Sequence, residues 1–180
     1  MGRLVRRVDL EHIIRAACVI ADVDELIIVG SQSILGKFPN APEELLVSQE
    51  VDLYPKQYPE RAELIEGAIG ELSMFHDTFG YYAQAVGPET CFLAEGWEDR
   101  LVSIKNQGTR GATGWCLSPV DLIVTKLSAQ REKDFKFVSV AIERGLVSFE
   151  EVFQLYQSLD IESEKLAIGL GFLSKLKKTM

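Results

Sequence analysis

The chain has 180 residues, and 19 lysines and arginines against 27 aspartates and glutamates give a formal net charge of −8 with histidine neutral. A field of that sign excludes nucleic-acid binding through overall charge, because phosphate recognition draws on clustered Lys and Arg; any such contact has to be a local patch, and no duplex DNA partner is expected. A hydrophobic share of 47% with 26% charged residues is the usage of an ordinary globular protein and excludes disordered and collagen-like chains.

A fold of this size buries about 70% of the surface its unfolded chain exposes, enough for a real core without covalent staples. Cys18, Cys91 and Cys116 are odd in number and far apart, and with His12 and His76 as the imidazoles of the chain a zinc site is not expected. The start of the chain, Met1-Gly2-Arg3-Leu4-Val5-Arg6-Arg7, lacks the apolar core of a leader peptide, and no apolar run reaches the roughly 20 residues that span a bilayer. These features predict a cytoplasmic protein with no membrane partner.

Leu10, Ile13, Ile14, Ala17 and Ile20 recur at helical spacing and predict an amphipathic helix over 8–23. Leu26-Ile27-Ile28-Val29 is an unbroken apolar run into Gly30-Ser31, a buried strand handing over to a turn. A short helix over 33–38 is broken by Pro39-Asn40-Ala41-Pro42. Glu50-Val51-Asp52-Leu53-Tyr54 alternates acid and apolar residues ahead of Pro55, which predicts a strand with one acidic and one apolar face.

Residues 59–76 read as one helix, and 81–86, 90–93 and 100–104 as strands, with Gly114 to Leu117 pairing back after the turn at 106–111. Ser118-Pro119-Val120-Asp121 is a helix start, after which the chain reads as helical to its end. Breaks are expected near Gly145, near Leu159-Asp160, and at Gly169 or Gly171. The fold class is therefore α+β: a mixed central sheet flanked by helices over 1–117, then a helical region over 118–180 expected to pack on that core.

The feature that points to chemistry is Gly30-Ser31 followed by Glu50 and Asp52. Acids at i and i+2 are common in so acidic a chain, with about four pairs expected by chance and six present. Context separates them, because the 50/52 pair alone falls within a predicted strand downstream of an apolar strand and Gly-Ser turn. Spacing by itself also fits a solvated strand face. Two carboxylates on one strand face can instead bracket a divalent cation such as magnesium, which binds one or two protein carboxylates together with substrate phosphate oxygens. The Gly30-Ser31 turn offers N–H groups and a hydroxyl to a phosphate without a P-loop lysine.

Val29-Gly30-Ser31, Ser48-Gln49-Glu50-Val51-Asp52-Leu53, Gly96-Trp97-Glu98-Asp99-Arg100-Leu101, and Pro119-Val120-Asp121-Leu122 running into Lys126-Leu127, Ala129, Arg131 and Lys133-Asp134 resemble the nucleotidyltransferase superfamily. The likeness is greatest to small bacterial proteins of the abortive-infection type, related to type IV toxin–antitoxin toxins. It extends over residues 26 to about 150.

The resemblance implies transfer of a nucleotide from a nucleoside triphosphate to a hydroxyl on RNA or protein, with Mg2+ or Mn2+ as cofactor and an antitoxin as a partner. It implies Glu50 and Asp52 as metal ligands, Gly30 and Ser31 against the triphosphate, and Lys126 and Arg131 as cations on the phosphates. Asp134 would be a later catalytic acid alongside Glu50, Asp52 and Lys126. Eighteen residues separate Ser31 from Glu50, a long spacer that an inserted loop over 39–46 accounts for. The strand over 81–86 carries Gln84 where many superfamily members have a third acid, leaving Asp77 or Asp134 as substitutes. The alternative implied by that difference is a non-catalytic nucleotide-binding or antitoxin-like module of the same fold.

The remaining candidates have ordinary structural readings. Lys126, Arg131, Lys133, Lys136 and Arg144 form the densest basic stretch, which reads either as a solvated helix face with ion pairs or as the surface for an RNA acceptor. On one continuous helix, Lys126 and Asp134 would face roughly the same side. His76 beside Asp77 reads as a helix-end histidine, and Tyr81 and Tyr82 lie near the supposed site, where one of the two could contact a nucleobase.

Overall fold

The computed structural model describes residues 3–180; Met1 and Gly2, which head the segment read as lacking a leader, lie outside the described residues. The chain divides into two compact units, Met1–Thr90 with Leu101–Ser118 and Cys91–Arg100 with Pro119–Met180. Its class is the expected α+β, with one mixed five-stranded sheet and flanking helices.

In the first unit, α1 (Arg7–Ala21) buries Leu10, Ile13, Ile14 and Ala17, the stripe that the helical spacing marks. Asp9 fixes its start by accepting the Arg6 N–H at 2.9 Å and the Arg3 guanidinium at 2.8 Å. Asp22 ends it in a left-handed conformation with φ of 52°. The strands are β1 (Glu25–Val29), β2 (Glu50–Pro55), β3 (Tyr82–Ala85), β4 (Val102–Ile104) and β5 (Thr113–Cys116).

They lie in the order β3-β2-β1-β5-β4. β1 runs antiparallel to β2 and parallel to β5, β2 runs parallel to β3, and β4 returns antiparallel on β5. Register sorts the two faces: Ile28 pairs with Leu53, and Leu26 with Gly114, while Val29 pairs with Asp52. Gly114 is where α1 meets the sheet, since a Cβ there would lie 2.4 Å from Ile14 Cδ1. Ile14, Ile28 and Leu53 are fully buried, each such side chain contributing roughly 1.5–3 kcal/mol. The alternation of β2 then turns Glu50 and Asp52 to the opposite face.

Between β1 and β2 the chain makes a short 3-10 turn at Ser31–Ser33, α2 (Ile34–Lys37) and a 3-10 turn at Glu43–Leu45. The long spacer is pinned rather than loose, because Leu45 is buried and the Gln32 amide donates to the Ser48 carbonyl at 2.7 Å. The helix expected over 59–76 is two helices, α3 (Ala62–Ile69) and α4 (Met74–Phe79). Gly70 stops the first, Leu72 takes a positive φ of 63°, and the Ser73 hydroxyl caps the second by accepting the His76 N–H. The strand expected over 90–93 does not form: Pro88–Thr90 is a 3-10 turn and the residues after it are irregular, since the run carries no partner alternation to recruit it into the sheet.

The second unit consists of the 91–100 segment and four helices, α5 (Pro119–Ala129), α6 (Glu132–Glu143), α7 (Phe149–Gln157) and α8 (Ser163–Thr179). The segment is tied to α5 twice. Arg100 grips Asp121 with two hydrogen bonds of 2.8 Å, and Thr125 donates to the Phe92 carbonyl at 2.9 Å. The helix predicted to run on from Pro119 breaks early, at Gln130, whose φ is +58°. The freed Gln130 amide donates to the Lys165 carbonyl at 2.6 Å, and the buried Tyr156 hydroxyl donates to the same carbonyl at 2.9 Å. Gly169 and Gly171 do not break α8, which runs unbroken through both; Gly169 instead makes room for the Tyr156 ring. Among the described residues, no helix is long and apolar enough to cross a membrane.

Candidate functional site

Glu50 and Asp52 are two residues apart on β2, half-buried, and project from the same face of the sheet. β3 brings two polar side chains beside them, because its parallel register sets Tyr82 against Glu50 and Gln84 against Asp52. The Tyr82 hydroxyl donates to Glu50 Oε2 at 3.2 Å. Burial, the Glu50 charge and then that of Glu71 push the Tyr82 hydroxyl up to about 12, so it remains a donor at neutral pH. The Gln84 amide, oriented as its hydrogen bonds require, donates its nitrogen to Glu50 Oε2 at 3.0 Å and to Asp52 Oδ1 at 3.3 Å. The His76 ring lies on the Tyr82 ring with centroids 4.6 Å apart, and its Nδ1 accepts the Leu72 N–H at 3.1 Å.

The end of β1 completes this edge. Gly30 has φ 68° and ψ −173°, a region that only glycine occupies without strain. A Cβ at Gly30 would sit 2.3 Å from Asp52 Oδ2, so the bare α-carbon is the space in which the carboxylate lies. Ser33 closes the turn from both sides, its N–H and its hydroxyl donating to the Gly30 carbonyl at 3.2 and 2.8 Å. Ser31 opens the 3-10 turn directly after Gly30 and is half-buried.

Lys126, Arg131 and Asp134 meet one another in the second unit, although on two helices rather than one. Asp134 is fully buried near the start of α6 and receives Lys126 Nζ at 3.2 Å and Arg131 Nε at 2.6 Å. Burial pushes the Asp134 carboxyl up, but the Arg131 hydrogen bond and the Lys126 charge outweigh it and leave it below the usual carboxylate value. Lys126 is buried, with its ammonium 4.6 Å from the Phe137 ring centre. The Arg131 side chain is 59% exposed.

The mixed sheet, with an acid pair beside a Gly-Ser turn, has the makings of a nucleotidyltransferase core. The family described as "Nucleotidyltransferase of unknown function (DUF6036)" matches residues 8–168, and the chain belongs to that family. Among curated proteins and among solved structures, none matches the chain significantly.

Among the described residues, no three His, Cys, Asp or Glu side chains gather into a group able to hold a metal ion. Glu50 and Asp52 therefore offer a two-carboxylate donor set, which fits a hard cation that takes its other oxygens from a substrate phosphate. Asp77, the sequence substitute for a third acid nearest the strand, is exposed on α4. Sequence reasoning placed Tyr82 near the site but missed its bond to Glu50. The signal was present: Tyr82 and Gln84 are two apart, so they share a strand face, as Glu50 and Asp52 do.

Proposed function

We propose that the protein is a magnesium-dependent nucleotidyltransferase that moves a nucleotide from a nucleoside triphosphate to a hydroxyl on RNA or protein. The observation that carries this reading is the same-face pair Glu50 and Asp52, set against the bare Gly30 α-carbon, in a chain of the nucleotidyltransferase family.

Glu50 and Asp52 would hold Mg2+ or Mn2+. Bound there, the cation screens the triphosphate charge and lowers the pKa of an attacking hydroxyl. Gly30 and Ser31 would lie against the triphosphate, a turn of this kind offering N–H groups to anionic oxygens. The acceptor oxygen bonds to the α-phosphorus, the bond to the bridging oxygen breaks, pyrophosphate leaves with the electron pair, and the hydroxyl proton passes to water. Tyr82 holds Glu50 in orientation as the substrate enters. In the second unit Lys126 and Arg131 both donate to Asp134, and the cluster holds the start of α6.

The motifs shared with abortive-infection proteins support a toxin-like role with an antitoxin partner, and the buried thiols of Cys18 and Cys116 fit a reducing cytoplasm. A second reading, a nucleotide-binding module without turnover, is favoured by one observation: Gln84 in register with Asp52 is neutral and cannot act as an anionic base.

Incubation with α-labelled triphosphates and candidate RNA and protein acceptors tests the first reading. We expect magnesium-dependent labelling that falls about 10²-fold or more in Asp52→Ala, the usual scale for loss of one preorganised electrostatic group. Equal labelling by both proteins would remove Asp52 from the mechanism. Triphosphate binding without labelling of any acceptor would favour the module.

A further inference from the structure

We infer that Gln84 sets this site to a single divalent cation, its amide holding the two carboxylates through the N–H edge and offering its carbonyl edge as a neutral ligand when a cation binds. The inference rests on the reading of Glu50 and Asp52 as the cation pair and adds how many ions that pair accepts.

Three observations carry it. First, Gln84 is the residue in register with Asp52 on the adjoining strand, so its side chain shares the face of the acids. Second, its amide reaches both of them, at 3.0 Å from Glu50 Oε2 and 3.3 Å from Asp52 Oδ1. The opposite orientation sets the amide oxygen against carboxylate oxygens, which without an intervening cation is repulsive. The two edges of one group thus match two states of the pair. Third, β3 is the edge strand of the sheet and Gln84 is exposed, so the amide can turn over without repacking the core.

Charge then limits the count. Two-cation sites hold their ions about 3.5–4 Å apart, and the repulsion between them has to be offset by bridging anions. Gln84 supplies a carbonyl oxygen of the kind found among Ca2+ ligands but no charge. Glu50 and Asp52 therefore face one ion with a neutral third ligand. A carboxylate at position 84 would add the missing charge and remove the two N–H bonds that relieve the acids in the metal-free protein.

The test is titration of the full chain with Mn2+ alone, following the free ion by electron paramagnetic resonance, for wild type, Gln84→Glu and Asp52→Asn. Melting is measured in parallel in chelator and in Mn2+. We expect one Mn2+ per wild-type chain, lost in Asp52→Asn. Gln84→Glu should bind the ion at least about tenfold more tightly, a difference of about 1.4 kcal/mol. It should also melt below wild type in chelator and recover on adding Mn2+. Two ions bound by wild type, or unchanged affinity in Gln84→Glu, would overturn the role of Gln84 while leaving the acid pair as a cation site. Absence of Mn2+ binding in wild type would overturn the inference, and equal binding by Asp52→Asn would overturn the cation pair with it. Should Gln84→Glu fail to fold, the wild-type count still decides between one ion and two.

Discussion

Asp52 and Asp134 are acids in opposite settings. Asp134 is fully buried and receives two cations, Lys126 at 3.2 Å and Arg131 at 2.6 Å. Asp52 is half-buried on a strand face shared with Glu50, and the Gln84 amide and Tyr82 hydroxyl approach that pair as neutral donors. The difference separates a charge cluster that is closed on itself from an acid pair that meets neutral donors. Burial makes the first a matter of stability, because a desolvated carboxylate needs its counter-charges at hand. Partial exposure keeps the second in touch with solvent.

The largest effect that sharpens this contrast is expected at the buried cluster. Asp134→Ala leaves the Lys126 ammonium buried without its carboxylate, and breaking such a pair costs about 3–5 kcal/mol; urea unfolding should report it as a lower midpoint at constant slope. Lys126→Met, which leaves Asp134 bonded to Arg131, should cost clearly less. A loss in Asp134→Ala no greater than that of a surface substitution would mean that the cluster is not structural.

Next in size is Gly30→Ala. A side chain there needs both a φ of 68° and the space of Asp52 Oδ2. Strain of this kind costs about 1–3 kcal/mol, and Asp52 has to move, so the variant should lose stability and triphosphate binding together. Retained binding in a folded Gly30→Ala protein would break the link between the turn and the acid. Tyr82→Phe is smaller again. It removes one half-buried hydrogen bond to Glu50, worth about 0.5–1.5 kcal/mol, and guanidinium unfolding checks it.

The smallest effect concerns pH. Burial, then the Arg15 charge, hold His12 below its ordinary value of 6.5, with Asp9 opposing, and its Nδ1 pairs with the Tyr81 hydroxyl at 2.8 Å. The unfolded chain therefore takes up this proton first. The contribution of neutral His12 is fully present above 6.5 and is lost as the pH falls through the lower folded-state value. Stability curves for wild type and His12→Gln should diverge above that window and converge below it; parallel curves would show that His12 does not titrate differently on folding.

Much of the site's scaffold was legible in the sequence because it rests on local rules. The apolar run of β1, the Gly30-Ser31 turn and the acid-apolar alternation of β2 follow from period and backbone freedom alone. What escaped depends on pairing at a distance. Residues 90–93 have the apolar content of a strand but no neighbour to join. The 59–76 stretch keeps helical spacing through Leu72, where φ turns positive and the helix is interrupted. Lys126 and Asp134 do meet, yet not by one continuous helix: Gln130 breaks the chain between them, and burial of Asp134 draws both cations in. Gln84 was visible as a missing acid, but its contact with both carboxylates needed the register of β3 on β2.

The claim that the Glu50 and Asp52 pair is a cation and triphosphate site is tested most directly by calorimetric titration with α,β-methylene-ATP, with and without magnesium, for wild type and Asp52→Asn. Wild type is expected to bind in a magnesium-dependent way, and Asp52→Asn to lose that binding while its melting temperature stays close to that of wild type. Binding of the same strength in the variant, or binding by wild type that ignores magnesium, would contradict that claim.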